Sequence, residues 1–363
     1  MNLNNQLIVT AHAEFLEAAL HELQRLDKTL KSRALLAPGI TLCSTSDALL
    51  LMGLAAEQRP IFARHLAPVQ TVVPLSNSEQ DIGALAIAIA DLPAFAMLEK
   101  GQHFAVQTRF AQSDEGEAAS APKRAYSTGY LNQRLAQAFA EETGAVESIK
   151  KPQIVISLLC SFEKAYAGIS LARENLSDWP GGMRHFAQTP EQISRAEFKL
   201  LEALETFGVT LPSQGTALDL GAAPGGWTRL LLLSGMHVVA IDPAKLDPRL
   251  QKEARLEHYR IYAEAYLADA LKRHKKFDLI TNDMRMDARE AARLLVEAGA
   301  CLRPEGFMIS SLKLPHATLD IDPSRNLKEA LQILGRHFAI VQAKQLFHNR
   351  QEVTVITAQP RSR

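Results

Sequence analysis

Between Thr216 and Gly235 the chain reads TALDLGAAPGGWTRLLLLSG. A run of small and β-branched residues closes on Asp219, and Gly221, Pro224, Gly225 and Gly226 follow before an apolar run opens at Trp227. Glycines at a strand-to-helix turn let the turn form and let a ligand approach the backbone closely. The spacing is not G-x-G-x-x-G, and no Lys-Ser or Lys-Thr follows, so neither a dinucleotide fingerprint nor a Walker A loop is present. Asp242 stands 23 residues after Asp219. An acid roughly 20 residues beyond such a loop takes a ribose diol, and Asp219 beside the loop suits a cationic ammonium. A ligand with a ribose, an amino-acid end and no phosphate is S-adenosyl-L-methionine. The candidate cofactor residues are therefore Asp219, Gly221, Pro224, Gly225, Gly226, Trp227 and Asp242, with Asp283 at a later strand end. Glu264 is preferred over Asp269 for the adenine side, because it directly follows a predicted strand.

The methyl acceptor is narrowed by what is missing. Amino-group methylation of bases calls for Asn/Asp-Pro-Pro-Tyr/Phe after the fourth strand, where this chain has TNDM. Carbon methylation of a pyrimidine needs a nucleophilic cysteine, and Cys301, in AGACLRPEGF, reads as a small buried residue. Oxygen remains, and a hydroxyl must lose its proton as it attacks. Lys313 lies in an apolar strand end, SSLKLP, where a charge is costly unless partnered. Lys199, Asp283 and Glu352 occupy comparable ends.

The elements that must position these residues alternate. TALDL, HVVAID, HYRIYAE, FDLITNDM, FMISSLKL and EVTVITA are predicted strands, and helices are predicted at 195–206, 226–234, 247–256, 288–300 and 324–336. This rhythm predicts an α/β, Rossmann-like class I methyltransferase domain with a doubly wound, mostly parallel sheet over 193–363. Its ligands should bind outside the carboxyl ends of the strands, where strand order reverses.

Before it, the pattern is mixed. NQLIVTA and HFAVQTRF read as strands, AEFLEAALHELQRL and YLNQRLAQAFAEETG as helices, and GALAIAIADLPAF as another helix. QIVISLLCSF and KAYAGIS read as two further strands. The expected organisation is an α+β subdomain over 1–80, a second domain over 81–175 and a Pro- and Gly-containing linker over 176–192. The apolar share of 47% and charged share of 22% are those of an ordinary globular protein. Residues 1–15 lack the pattern of a signal peptide, and no apolar run is long enough for a membrane span. Cys43, Cys160 and Cys301 are isolated, which predicts no disulfide framework, no metal site and a cytoplasmic setting.

Net charge is zero, but residues 190–363 carry 24 Lys+Arg against 21 Asp+Glu, leaving 16 against 19 before them. The local basic clusters are Lys123-Arg124, Lys150-Lys151, and Lys272, Arg273, Lys275 and Lys276 around His274. Each reads first as a solvated face, and the first two are candidates for contact with a polyanion.

SRAEFKL, DLGAAPGGWT, NDM, LKLP and EVTV, in this order and spacing, resemble the FtsJ-type RNA ribose 2′-O-methyltransferases. WPGGMRHF and QLFHNRQEVTV are further similar to the bacterial RlmM-type branch of that family. The resemblance implies a catalytic Lys-Asp-Lys-Glu tetrad at Lys199, Asp283, Lys313 and Glu352. It also implies methylation of the 2′-hydroxyl of a cytidine in large-subunit (23S) ribosomal RNA or a ribosome assembly intermediate. PQIVISLLCSFEKAYAGIS is similar to the end of a THUMP domain, which implies a THUMP-like RNA-binding region over 81–175. Within the tetrad, Lys313 is expected to be the general base. Its pKa should be pushed down by burial and by the Lys199 charge, while Asp283 and Glu352 orient lysines and ribose. Methylation of transfer RNA or a messenger RNA cap, and a non-catalytic RNA-binding assembly factor, are the rival readings.

Overall fold

The computed structural model describes residues 5–111, 124–316 and 322–361. The chain divides into two units, residues 1–183 and 184–363. The division falls within 176–192, where Gly181 and Gly182 take φ of +61° and +72°.

The first unit begins with β1 (Gln6–Thr10), α1 (Leu16–Leu26), β2 (Lys31–Ala37), β3 (Ile40–Ser44), α2 (Ala48–Gln58) and β4 (His65–Val69). The strands form an antiparallel sheet in the order β2-β3-β1-β4. Helix α1 buries Leu16, Ala19, Leu20 and Leu23, the one-sided stripe that its three- and four-residue spacing dictates. Asp47 caps α2 by accepting from the Leu50 amide at 3.0 Å.

A second sheet follows, from β5 (Thr71–Pro74), α3 (Gln80–Ala90), β6 (His103–Phe110), α4 (Thr128–Thr143), β7 (Val146–Glu147), β8 (Ile154–Cys160) and β9 (Lys164–Leu171). Its order is β5-β9-β8-β6-β7, and β8, central and uniformly apolar, is buried along its whole length. The change of sheet differs from the boundary expected at 80/81. It falls at Gln70, because Thr71–Pro74 already pairs with β9 from Thr71 opposite Ala167. No glycine marks that crossing in the sequence.

The second unit carries α5 (Ala196–Phe207), β10 (Thr216–Leu220), α6 (Gly226–Ser234), β11 (His237–Ile241), β12 (Leu256–Tyr259), α7 (Ala263–Lys272) and β13 (Phe277–Asn282). It continues through α8 (Ala288–Gly299), β14 (Leu302–Lys313), α9 (Pro323–His337), β15 (Phe338–Lys344) and β16 (Glu352–Pro360). The seven-stranded sheet runs β12-β11-β10-β13-β14-β16-β15. Neighbouring strands are parallel from β12 to β14, and β16 is antiparallel to both β14 and β15. Strand order therefore reverses between β10 and β13, and the glycine loop and Asp283 both leave the sheet at that switch.

Two predicted elements are corrected. The helix expected at 247–256 is only a 3-10 turn at Pro248–Leu250, since Leu250 is the only buried side chain in a charged stretch and Arg249 folds back onto Asp247. The strand expected through HYRIYAE ends at Tyr259, and Glu264 lies in the first turn of α7. Ala263, Tyr266, Leu267 and Ala270 supply the helical stripe that overrides it. Strand β15, an edge strand with several exposed positions, had no clear period.

Candidate active site

The loop after β10 is built by hydrogen bonds to the neighbouring strand. The Gly221 and Ala222 amides both donate to the Ile241 carbonyl, at 3.0 and 3.3 Å. Gly221 (φ +73°) leaves room only for hydrogen, because a Cβ would meet the side chain and backbone of Met284. Gly225 (φ +115°) caps α6 in the left-handed region, and a Cβ there would run into Leu250. The Ala223–Pro224 peptide is cis. Gly226 starts α6 against the Ser194 hydroxyl.

Asp242 is half-buried. One carboxylate oxygen accepts from the Ala223 amide (3.0 Å) and the other from the Ala244 amide (2.8 Å), so the acid is oriented by the loop's own backbone. Ser194 Oγ, missed at the sequence level, is buried without a hydrogen-bond partner beside Gly226. An orphaned hydroxyl and a fixed carboxylate flanking a bare backbone turn are the features a polar cofactor requires.

Two expected contacts are corrected. Asp219 is 1% exposed, and its two oxygens accept from Thr228 Oγ1 at 2.6 Å and Thr281 Oγ1 at 2.8 Å. It ties β10 to α6 and β13, with both oxygens engaged by hydroxyls inside the protein. Burial drives its pKa up to about 6 against the pull of the two hydroxyls. Trp227 is 3% exposed, with its indole N–H donating to the Ala196 carbonyl at 2.7 Å. Its side chain locks α6 to α5, leaving only its backbone to the loop. Glu264 is exposed on α7, and Asp269 pairs with Arg273 at 2.9 Å on the same helix.

The four residues of the expected tetrad meet. Lys199 projects from the first turns of α5, Asp283 follows β13, Lys313 ends β14 and Glu352 begins β16. Asp283 is fixed by its amide, which donates to the Leu220 carbonyl at 3.2 Å. Lys199 Nζ reaches Asp283 Oδ2 at 3.2 Å and Glu352 Oε1 at 2.7 Å. Lys313 Nζ bonds the same two carboxylates through Asp283 Oδ1 and Glu352 Oε2. The result is a closed ring of alternating sign in which each ammonium touches both acids and neither touches the other.

This arrangement reverses one expectation. Burial does lower the Lys313 pKa, but Asp283 and Glu352 outweigh it and hold the amine above its ordinary value. The shared carboxylates, not Lys199, dominate its surroundings, because opposite charges lie closer than like ones. Lys313 rests as an ammonium.

A supporting layer was not legible in the sequence. Glu202, one turn beyond Lys199 on α5, accepts from the Phe347 and His348 amides at 2.8 and 2.9 Å and from His348 Nδ1 at 2.7 Å. That clamps the turn carrying Asn349, whose Oδ1 accepts from the Leu346 amide and from Thr354. Asn349 Nδ2 donates to Glu352 at 3.5 Å. Lone acids on helices carry no signal that they reach across more than a hundred residues.

The basic clusters are largely spent. Arg124 bonds Asn77 and the Ser161 carbonyl and lies over the Phe110 ring. Lys123 lies outside the described residues. Lys276 donates to the Ala300 carbonyl and Lys275 to Tyr266. Lys150 and Lys151 remain exposed. The three cysteines are free and buried, and no metal-ligating cluster occurs among the described residues. No helix among them is long and apolar enough to cross a membrane.

The sheet, its switch-point loop and the charged ring at the strand ends define a methyltransferase domain of the FtsJ-like class, and the description of the FtsJ-like methyltransferase family matches residues 192–334. A protein of Xanthomonas oryzae pv. oryzae named ribosomal RNA large subunit methyltransferase M is 30% identical over 277 residues, 73% of this chain and 75% of that one. The chain belongs to that family. The Sodalis glossinidius protein of the same name is 34% identical over 221 residues, spanning 58% of either chain. A crystal structure of TrmN from Thermus thermophilus aligns over 97% of this chain and 99% of that one, at 19% identity and a TM-score of 0.39. As an FtsJ-like methyltransferase, the chain uses S-adenosyl-L-methionine as its methyl donor.

Proposed function

We propose that this enzyme methylates a ribose 2′-hydroxyl of large-subunit ribosomal RNA, at a cytidine, in the bacterial cytoplasm, with Lys313 as the base. The observation that carries the reading is the closed Lys199–Asp283–Lys313–Glu352 ring at the strand ends beside the glycine loop. S-adenosyl-L-methionine would supply an electrophilic methyl on a sulfonium. Asp242, the backbone of 221–226 and the Ser194 hydroxyl would hold it, with Asp242 taking the ribose diol.

Lys313 Nζ would take the hydroxyl proton as the ribose oxygen attacks, and the bound donor would supply the methyl and depart as a neutral thioether. The amine must therefore enter the step neutral. A resting ammonium sheds its proton to solvent first, so turnover should rise with pH. Asp283 and Glu352 keep Lys313 aimed, and Lys199 neutralises the acids that would otherwise trap it as a cation. Alignment of oxygen, methyl and leaving group supplies the rest of the acceleration.

Lys313→Ala should retain cofactor affinity and lose methyl transfer, read by calorimetry and by tritiated methyl incorporation into 23S ribosomal RNA. Lys313→Arg should be equally inactive, because a guanidinium does not deprotonate in proteins. Turnover of the Arg variant near the wild-type rate would remove the base from residue 313. Loss of a single 2′-O-methylcytidine from ribosomal RNA in a deletion strain, restored by the wild-type gene alone, tests the substrate.

A further inference from the structure

The first unit carries fewer cations than acids over its length, yet three of its cations converge. Lys28, Lys31 and Arg33 line one open groove with Asn5, Gln6, Thr29, Ser44, Thr45 and Ser46, enclosing about 880 Å³. The groove crosses the end of the first sheet. Lys31 of edge strand β2 stands opposite Ser44 of β3, which stands opposite Gln6 of β1. One row of side chains therefore spans three strands.

Its chemistry is one-signed. Among the described residues none of the three cations forms an ion pair, and no carboxylate lines the groove. The nearest acid in sequence, Asp27, does not itself line the groove and is held by hydroxyls that do. Its carboxylate accepts from Thr29, Thr45 and Ser46, and those bonds hold its pKa at about 2 against burial. Arg33 is steadied by donating to Ser44 Oγ at 2.6 Å. Unpaired cations beside hydroxyl and amide donors are what phosphate oxygens accept from. Lys31 and Arg33, two residues apart along a strand, are separated by about 6.7 Å, a spacing that lets adjacent phosphates of one strand be met in turn. An open groove, rather than an enclosed pocket, admits a continuous chain.

We infer that the groove formed by Lys28, Lys31, Arg33 and the Ser44 hydroxyl binds the phosphate backbone of the substrate RNA. The inference rests on the RNA substrate proposed above. It assigns grip to the first sheet, outside the 81–175 region and away from Lys150 and Lys151. Contacts of this kind set position and affinity without reading bases.

The test is full-length Lys28→Gln/Lys31→Gln/Arg33→Gln, with the charge-reversed Lys28→Glu/Lys31→Glu/Arg33→Glu as a second variant. Affinity for a 23S ribosomal RNA fragment is measured by fluorescence anisotropy across a salt series. The Gln variant should lose at least tenfold in affinity at low salt, and its slope of log K on log salt should shrink by about 2, the single-strand value for three phosphate contacts. The Glu variant should lose more. A wild-type far-ultraviolet circular dichroism spectrum and wild-type unfolding midpoints establish that both variants fold. Wild-type affinity, KM for RNA and salt slope in the Gln variant would overturn the groove while leaving the methylation reading intact. Tight wild-type binding to polyglutamate that excludes RNA from the groove would overturn it in favour of an acidic protein. A wild-type chain that neither binds nor methylates ribosomal RNA would remove both readings together.

Discussion

Lys313 and Glu352 face each other in register at the ends of two antiparallel strands, β14 and β16, and their side chains are bonded. An ammonium and a carboxylate 39 residues apart are thereby made cross-strand neighbours, and the pair is as rigid as the sheet that carries it. The acid raises the pKa of the base it holds, so orientation is gained at the cost of a proton that must leave before chemistry.

A pH profile should expose that trade. Glu352 and Asp283 push the Lys313 pKa up, so replacing either acid removes part of the upward push. Glu352→Gln should shift the rising limb of kcat against pH toward lower pH, while lowering the plateau because the amine is less well aimed. A limb that stays in place, or moves to higher pH, would contradict the assignment of Lys313 as the titrating base.

The buried carboxyl of Asp219 makes a second, opposite kind of signal. Its folded pKa, about 6, lies above the ordinary 3.8, so the protonated form is the one the fold favours. That contribution is complete below pH 3.8 and is lost as pH rises through about 6, with a size on the order of 3 kcal/mol. Asp219→Asn should lack this fall in stability, so its difference from wild type should change across the window, measured by urea denaturation at closely spaced pH values. Parallel curves for the two proteins would refute it.

The loop itself should tolerate little. A side chain at Gly225 would have to occupy both a left-handed φ and the space of Leu250, and Asp242→Ala releases the Ala223 and Ala244 amides. Gly225→Val and Asp242→Ala should each weaken S-adenosyl-L-methionine binding at least tenfold, about 1.4 kcal/mol. Calorimetry giving wild-type affinity for both would dissociate this loop from the cofactor.

Glu202 should act on rate without touching substrate. Glu202→Gln leaves at most one acceptor oxygen for three donors from residues 347 and 348, so the turn that holds Asn349 against Glu352 loosens. We expect kcat to fall on the order of tenfold, about 1.4 kcal/mol of barrier, with the dissociation constant for S-adenosyl-L-methionine unchanged. A change confined to KM, or to thermal stability with kcat intact, would make Glu202 merely structural.

Much of the second unit was legible in the sequence because its signals are local. TALDLGAAPGGWT announces a strand, a left-handed turn and a helix within thirteen residues, and the alternation that follows admits few topologies. Lys199, Asp283, Lys313 and Glu352 were marked by lying at element ends within a recurring pattern. Burial, by contrast, is a property of the assembled sheet. Asp219 and Trp227 sit in the motif but point into the protein, and only the packing of α5 and α6 on β10 and β13 turned one into a tie between elements and the other into a helix lock. The direction of the Lys313 shift was likewise undecidable from composition, since it depends on whether a carboxylate or an ammonium lies nearer. The groove of Lys28, Lys31 and Arg33 follows the same logic. In sequence those residues stand close to Asp27; pairing of β2, β3 and β1 gathers the cations along one groove, and three hydroxyl-bearing residues hold the acid. Spacing along the chain determines which element forms. Which charges meet, and which are buried, is set by contacts between residues far apart in sequence, whose energies no local window contains.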